Sequence, residues 1–183
     1  MIPKHAKKVF HGTVFHIYQW EQKMFNSKVK IFEHAQSHDG ASIIAAVGKK
    51  IIVLKQKQPR TKWYLSLPGG GLDHPEETPK AGAARELLEE TGYKPKTMTL
   101  IKKIPRGGRV SSMHYVFIAK DCKKVSEQAL DGGELIDVKM YSFDEFLKLS
   151  EDPKFHNRDM TVELLRARLT AKSKEALKKQ IFG

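Results

Sequence analysis

Three observations predict an α/β fold for this chain. Stretches rich in β-branched and aromatic residues recur at strand length through the first 120 positions, one segment near the middle carries complete helix start and stop signals, and the last third reads as helical again. A length of 183 residues suits a single domain with a buried core. No run of 18 apolar residues occurs and the N-terminal MIPKHAKKVF lacks an apolar leader core, so neither a membrane span nor a secretory signal is expected and a cytoplasmic protein is. The single Cys122 excludes an internal disulfide and reads as inert, and the eight histidines show no zinc-ligand spacing.

Taken in order, residues 9–20 (VFHGTVFHIYQW) and 28–34 (KVKIFEH) read as an antiparallel pair turning at Asn26-Ser27. Residues 41–47 (ASIIAAV) and 51–55 (IIVLK) read as a buried hairpin turning at Gly48-Lys49. Residues 98–104 and 113–119 read as strands flanking a cationic loop, Pro105-Arg106-Gly107-Gly108-Arg109, in which the two arginines suit a phosphate. Asp131-Gly132-Gly133-Glu134 leads into another strand, followed by a helix at 143–149 and a basic helix over about 158–181.

The helix at 79–91 is the best signalled element. Thr78 is placed to cap it, Pro79 holds the first position and Gly92 the far end. Separations of three and four put Glu86, Glu89 and Glu90 on one face, with Ala81, Ala84, Leu87 and Leu88 turned mainly away. These acids occupy the last turns, where the helix dipole disfavours negative charge, so helix propensity does not account for them. Gly82, which costs about 1 kcal/mol against alanine, leaves the approach to that patch open. A hard divalent cation accounts for all of this, Mg²⁺ first and Mn²⁺ second, and Arg85 is spaced to pair with Glu89.

Gly71, five residues, Glu77, seven residues, then Arg85-Glu86-Leu87-x-Glu89-Glu90-x-Gly92-Tyr93 resembles the complete Nudix box over 71–93, with only the aromatic Tyr93 departing from its usual aliphatic residue. The resemblance implies an α/β/α sandwich around a mixed sheet, divided into an N-terminal β-extension at 1–40 and a hydrolase domain at 41–183. It implies metal ligation by the Gly70 carbonyl, Glu86, Glu89 and Glu90, with Gly71, Glu77 and Gly92 serving the architecture of the box. The extension, and the segment KQKQPRTKWYLSLPGGG over 55–71, resemble the branch that hydrolyses ADP-ribose and nucleoside diphosphate sugars. In that branch the extension builds a homodimer, a Gln-x-Arg element meets the pyrophosphate, and a mobile loop brings an acid to the metals. Either Gln56-Lys57-Gln58 or Gln58-Pro59-Arg60 can take the Gln-x-Arg place; Arg60 is favoured, with Trp63 or Tyr64 to stack on a base. Glu134 is the first candidate for the base, then Glu86 or Asp131, and the substrate set is Arg60, Trp63, Arg106 and Arg109. Triphosphate hydrolysis, pyrophosphate removal from an RNA 5′ end, and nucleotide or RNA binding without turnover are the competing readings.

The net charge of +12 is uneven in a way that bears on these readings. Residues 1–60 carry eleven Lys/Arg against three acids and residues 154–183 eight against three, whereas the box holds six acids against two bases. A negative patch in a positive frame suits a phosphorylated small molecule brought to a cation, and leaves nucleic acid as a less favoured partner.

Overall fold

The computed structural model describes residues 2–74 and 76–183. Strands β1 (Lys7–His11), β2 (Phe15–Lys23), β3 (Val29–Ser37), β4 (Asp39–Val47), β5 (Lys50–Lys57), β6 (Tyr64–Ser66) and β7 (Gly71–Leu72) precede helix α1 (Pro79–Thr91). After it come β8 (Tyr93–Lys94), β9 (Thr97–Arg106), β10 (Val110–Lys120), β11 (Lys123–Lys124), β12 (Leu135–Ser142), α2 (Phe143–Lys148), α3 (Arg158–Arg168) and α4 (Ala171–Phe182). One mixed sheet runs β1-β2-β3-β10-β4-β5-β12, with β6 on β5, β7 on β4 and β9 on β10, while β8 and β11 form a separate small pair.

The apolar pattern of β4 explains why helices cover both faces. Ile43 and Ala45 pack with Ile52, Leu54, Phe117 and the α1 residues Ala83 and Leu87, whereas their neighbours Ile44 and Ala46 pack with Phe146, Met160 and Leu164 of α2 and α3. Period-two alternation through a strand that is apolar throughout buries both sides, the layered α/β/α arrangement expected. Cys122 lies in the α1-side core, where burial pushes its thiol up to about 11, so it is a packing residue.

Several elements differ from the sequence reading. The expected first strand is two, β1 and β2, broken at Gly12-Thr13-Val14, so the N-terminal unit is a three-stranded antiparallel ribbon. That ribbon joins the main sheet through the parallel pairs Val110↔Ala35 and Ser111↔Gln36. The hairpin β4–β5 holds only Ala46↔Ile51 and Val47↔Lys50 before its strands part, β4 to pair β10 in parallel and β5 to pair β12. Pro105 and Arg106 belong to β9, which pairs only with β10 and so tolerates a residue without an amide proton. The C-terminal helix is two helices, because the Thr170 hydroxyl accepts from the Ser173 amide and caps a new start.

Candidate active site

Helix α1 begins and ends where its sequence signals place it. The Thr78 hydroxyl accepts from the Ala81 amide, and Gly92 closes the helix in the left-handed region at φ 73°, its N–H reaching the Leu88 carbonyl. The inward face is formed by Gly82, Ala83, Leu87 and Glu90, while Ala81 is exposed and Ala84 and Leu88 are half-buried. Gly82 leaves room for Leu72 and Glu77, since a Cβ there would stand 2.6 Å from Leu72 Cδ2 and 3.0 Å from Glu77 Oε2. Its smallness therefore admits the loop that leads into the helix, and does not serve the carboxylate patch.

Opposite the helix, the chain from Leu67 to Gly71 is bound to β4 by Ile43 N–H to the Pro68 carbonyl at 2.8 Å and Ala41 N–H to the Gly70 carbonyl at 3.0 Å. Gly69 takes φ 135°, with the Ala41 carbonyl where a Cβ would be, so a side chain is excluded. Asn157, at the entry to α3, clamps the same turn: its Oδ1 accepts from Leu67 N–H at 2.7 Å and its Nδ2 donates to Ser42 Oγ at 2.8 Å, which in turn pairs with His114 Nε2 at 2.9 Å.

Between turn and helix lies a cleft of about 480 Å³ whose walls carry Gly69, Gly70, Glu86, Glu89, Glu90, Asp131 and Glu134, with Gln56, Gln58, Tyr64, Asp73, His74 and Arg85. Glu90 is only 5% exposed and accepts from Gly69 N–H at 2.6 Å. Burial raises its carboxyl well above the ordinary range, the Gly69 amide opposing and Glu86, Glu134 and Glu89 adding to the rise. Glu86 is raised chiefly by burial, against the pull of Arg85, and its carboxylate abuts Gly70, where a Cβ would meet Oε2 at 2.5 Å. Glu134 is raised by burial, with Gln58 opposing and Asp131 and Glu89 reinforcing.

Arg85 is the cation of this cluster. Its Nη1 pairs with Glu86 at 2.9 Å and Glu89 at 2.8 Å, and its Nε with Glu77 at 3.3 Å. Burial works against its charge, but Glu86, Glu89 and Glu77 outweigh that and raise its pKa. Glu77, in the loop that leads into the helix, thus pairs with Arg85.

The donor set suits a hard divalent cation in its chemistry: Glu86, Glu89, Glu90 and Glu134 line one cleft with Gly70, Asp73 and Asp131 beside them, and burial raises Glu86 and Glu90. Among the described residues no three acids or histidines are pre-assembled around a common point, since Arg85 draws Glu86 and Glu89 to itself.

The expected substrate residues do not line this cleft. Arg60 lies in an exposed turn with φ 67°, and Trp63 is exposed with Lys55 Nζ 5.2 Å from its ring centroid. Arg106 pairs with Asp159 at 3.2 Å, and Arg109 lies in the loop before β10, in a groove with Trp20 and Phe32. The aromatic ring in the cleft is Tyr64, stacked on His156 at 4.2 Å. Asp73 and His74 escaped the sequence reading, whereas Gln56 and Gln58 entered it only as candidates for the Gln-x-Arg element and Tyr64 as a candidate to stack on a base. Alternation along β5 gave a signal for Gln56, the one polar side chain at a buried position of that strand, whereas nothing local pointed to Asp73 or His74.

Comparison with known proteins bears on what this cleft serves. A NUDIX domain is matched over residues 36–163. The chain is 32% identical over 150 residues to the ADP-ribose pyrophosphatase of Bacillus subtilis (strain 168), covering 79% of this chain and 80% of that protein. It is 26% identical over 156 residues to the methanol dehydrogenase activator of Bacillus methanolicus, covering 83% and 84%. Its fold matches that of an ADP compounds hydrolase with a TM-score of 0.73 at 20% identity, over 92% of this chain and 94% of the other. With the box intact on α1 and its acids gathered in one cleft, the chain belongs to the NUDIX family and is a pyrophosphohydrolase.

Proposed function

We propose that this protein hydrolyses the pyrophosphate bond of ADP-ribose or another nucleoside diphosphate sugar with Mg²⁺, giving a nucleoside monophosphate and a sugar phosphate. The observation that carries this reading is the gathering of Glu86, Glu89, Glu90 and Glu134 with Gly70 on one cleft in a chain of net charge +12. Arg85, the one Lys or Arg among the described residues of that wall, is already shared by three acids, so it is not free to hold a diphosphate. Mg²⁺ held by Glu86, Glu90, Glu89 and the Gly70 carbonyl would supply that neutralisation and acidify water. Mn²⁺ fits the same donors.

Within this reading the protein's own groups have distinct tasks. The Gly69 amide fixes the Glu90 carboxylate, and Arg85 bridges Glu86 and Glu89. Glu134, raised in pKa and lining the same cleft, takes a proton from the attacking water as the P–O–P bond opens and the bridging oxygen leaves with one phosphate. A homodimer through the N-terminal ribbon belongs to the same reading, supported by its exposed Val9, Phe10, Phe15, Val29, Ile31 and Phe32.

The test is product analysis with Mg²⁺ against ADP-ribose, nucleotide sugars, nucleoside triphosphates and 5′-triphosphorylated RNA, with Glu90→Gln as the blank. Monophosphate released from ADP-ribose or a nucleotide sugar by the wild type alone is the expected result. Cleavage of triphosphates or RNA alone would refute the substrate class, and no cleavage would refute catalysis.

A further inference from the structure

Two loops meet at the open end of the β5–β12 ladder, whose last pair is Lys57↔Leu135. One, the turn Gln58–Thr61, is closed on itself three ways. The Gln58 amide donates to Thr61 Oγ1 at 2.9 Å, and the Gln58 carbonyl accepts from Thr61 N–H at 3.1 Å and from Thr61 Oγ1 at 3.0 Å. Arg60 completes it in the left-handed region at φ 67°, a conformation unusual for a residue with a side chain. The other loop, Asp131–Glu134, is a turn closed by Glu134 N–H to the Asp131 carbonyl at 3.0 Å. Pro59 packs on it, 3.5 Å from where a Gly133 Cβ would stand.

Between them Gln58 Nε2 donates to Glu134 Oε1 at 3.2 Å. Gln58 is exposed, so that bond does little for the fold. Glu134, however, faces a cleft of acids in which Asp131 and Glu89 repel its charge, and among the described residues no ion pair holds it. An amide donor fixed by a closed turn orients a carboxylate without neutralising it. A lysine or arginine at the same place would do the first and weaken its basicity.

We propose that Gln58 is a positioning residue that acts through Glu134, the self-closed 58–61 turn serving as its rigid mount. This rests on the reading of Glu134 as the base. It also gives Gln58, and not Arg60, the work expected of this segment: aiming an acid on the cleft wall, in place of gripping phosphate.

The test is a double-mutant cycle on Mg²⁺-dependent hydrolysis of ADP-ribose, with the wild type, Gln58→Ala, Glu134→Gln and the double variant. If Gln58 acts through Glu134, Gln58→Ala lowers kcat roughly tenfold or more with KM nearly unchanged, the range found when groups that orient a functional residue are removed. The same substitution then has under a twofold effect in the Glu134→Gln background. Gln58→Ala leaves the melting temperature level in either background, since Gln58 is exposed. Equal losses in both backgrounds overturn this assignment alone. Normal turnover by Glu134→Gln removes the base, and the assignment with it. A wild type inert on every diphosphate overturns the functional reading first. Gln58→Asn checks geometry: its donor is one methylene short, so it is expected to behave as Gln58→Ala, and full activity there would also overturn the assignment.

Discussion

Replacing Glu90 by glutamine is expected to stabilise the metal-free protein while abolishing turnover. Glu90 is 5% exposed, accepts from one backbone amide, and shares its cleft with Glu86, Glu89 and Glu134, all of which disfavour its charge. Glutamine keeps the volume and an oxygen for the Gly69 amide but removes an incompletely neutralised buried charge. Relief of desolvation and repulsion of about 1–2 kcal/mol is expected. At about 2–4 °C per kcal/mol for a chain of this size, the melting temperature in EDTA rises by roughly 2–8 °C. With Mg²⁺ the order reverses: a ligand at 100 times its dissociation constant adds about 2.7 kcal/mol to the protein that binds it, and the variant has lost a ligand. Thermal melts with EDTA and with Mg²⁺, beside product release from ADP-ribose, read both effects. A variant that melts below the wild type in EDTA would show that Glu90 is held by the fold for its own stability. A variant that retains turnover would refute its place at the metal.

Further outcomes test other parts of the structure. Glu134→Gln is expected to lower kcat by on the order of 10²–10⁴ with a melting temperature no lower than that of the wild type, by steady-state kinetics and calorimetry. His114 is buried, facing Ser42 Oγ, and burial first, then Arg106, lowers its pKa, with Asp159 opposing. The unfolded chain therefore takes up that proton first as pH falls below about 6.5, so stability from this group is complete above that pH and lost beneath it. Urea unfolding between pH 8 and 5 should show that decline, and His114→Gln should flatten it. Ile31→Asp on the N-terminal ribbon is expected to yield a monomer by light scattering where the wild type is a dimer, and a monomeric wild type would refute the dimer.

How far the sequence could be read depends on the range of the forces involved. Helix α1 was legible to the residue because its signals are local: a hydroxyl at Thr78, a ring at Pro79, a left-handed glycine at Gly92. The acids were legible as a group because helical spacing brings Glu86, Glu89 and Glu90 together. The burial of Glu90 was not, since it depends on the Gly69 turn arriving from 21 residues away. Pro105 misled because proline reads as a loop signal, and only the edge position of β9 makes room for it. The substrate arginines were selected by charge type, yet Arg106 meets Asp159, 53 residues on, and pairs there.

By itself the sequence determined the family, the α/β class, the box helix and the presence of residue types suited to a cation, because these follow from spacing, capping and alternation within some twenty residues. Tertiary structure alone decided which side chains face the cleft, that Glu90 is buried and that Arg85 binds three acids. It alone set Gln58 beside Glu134, 76 residues apart in the chain. Those outcomes turn on the register of β5 against β12 and on where the chain from Leu67 to Gly71 crosses β4. Register is a property of two strands at once, and a shift of one residue would turn every side chain to the opposite face.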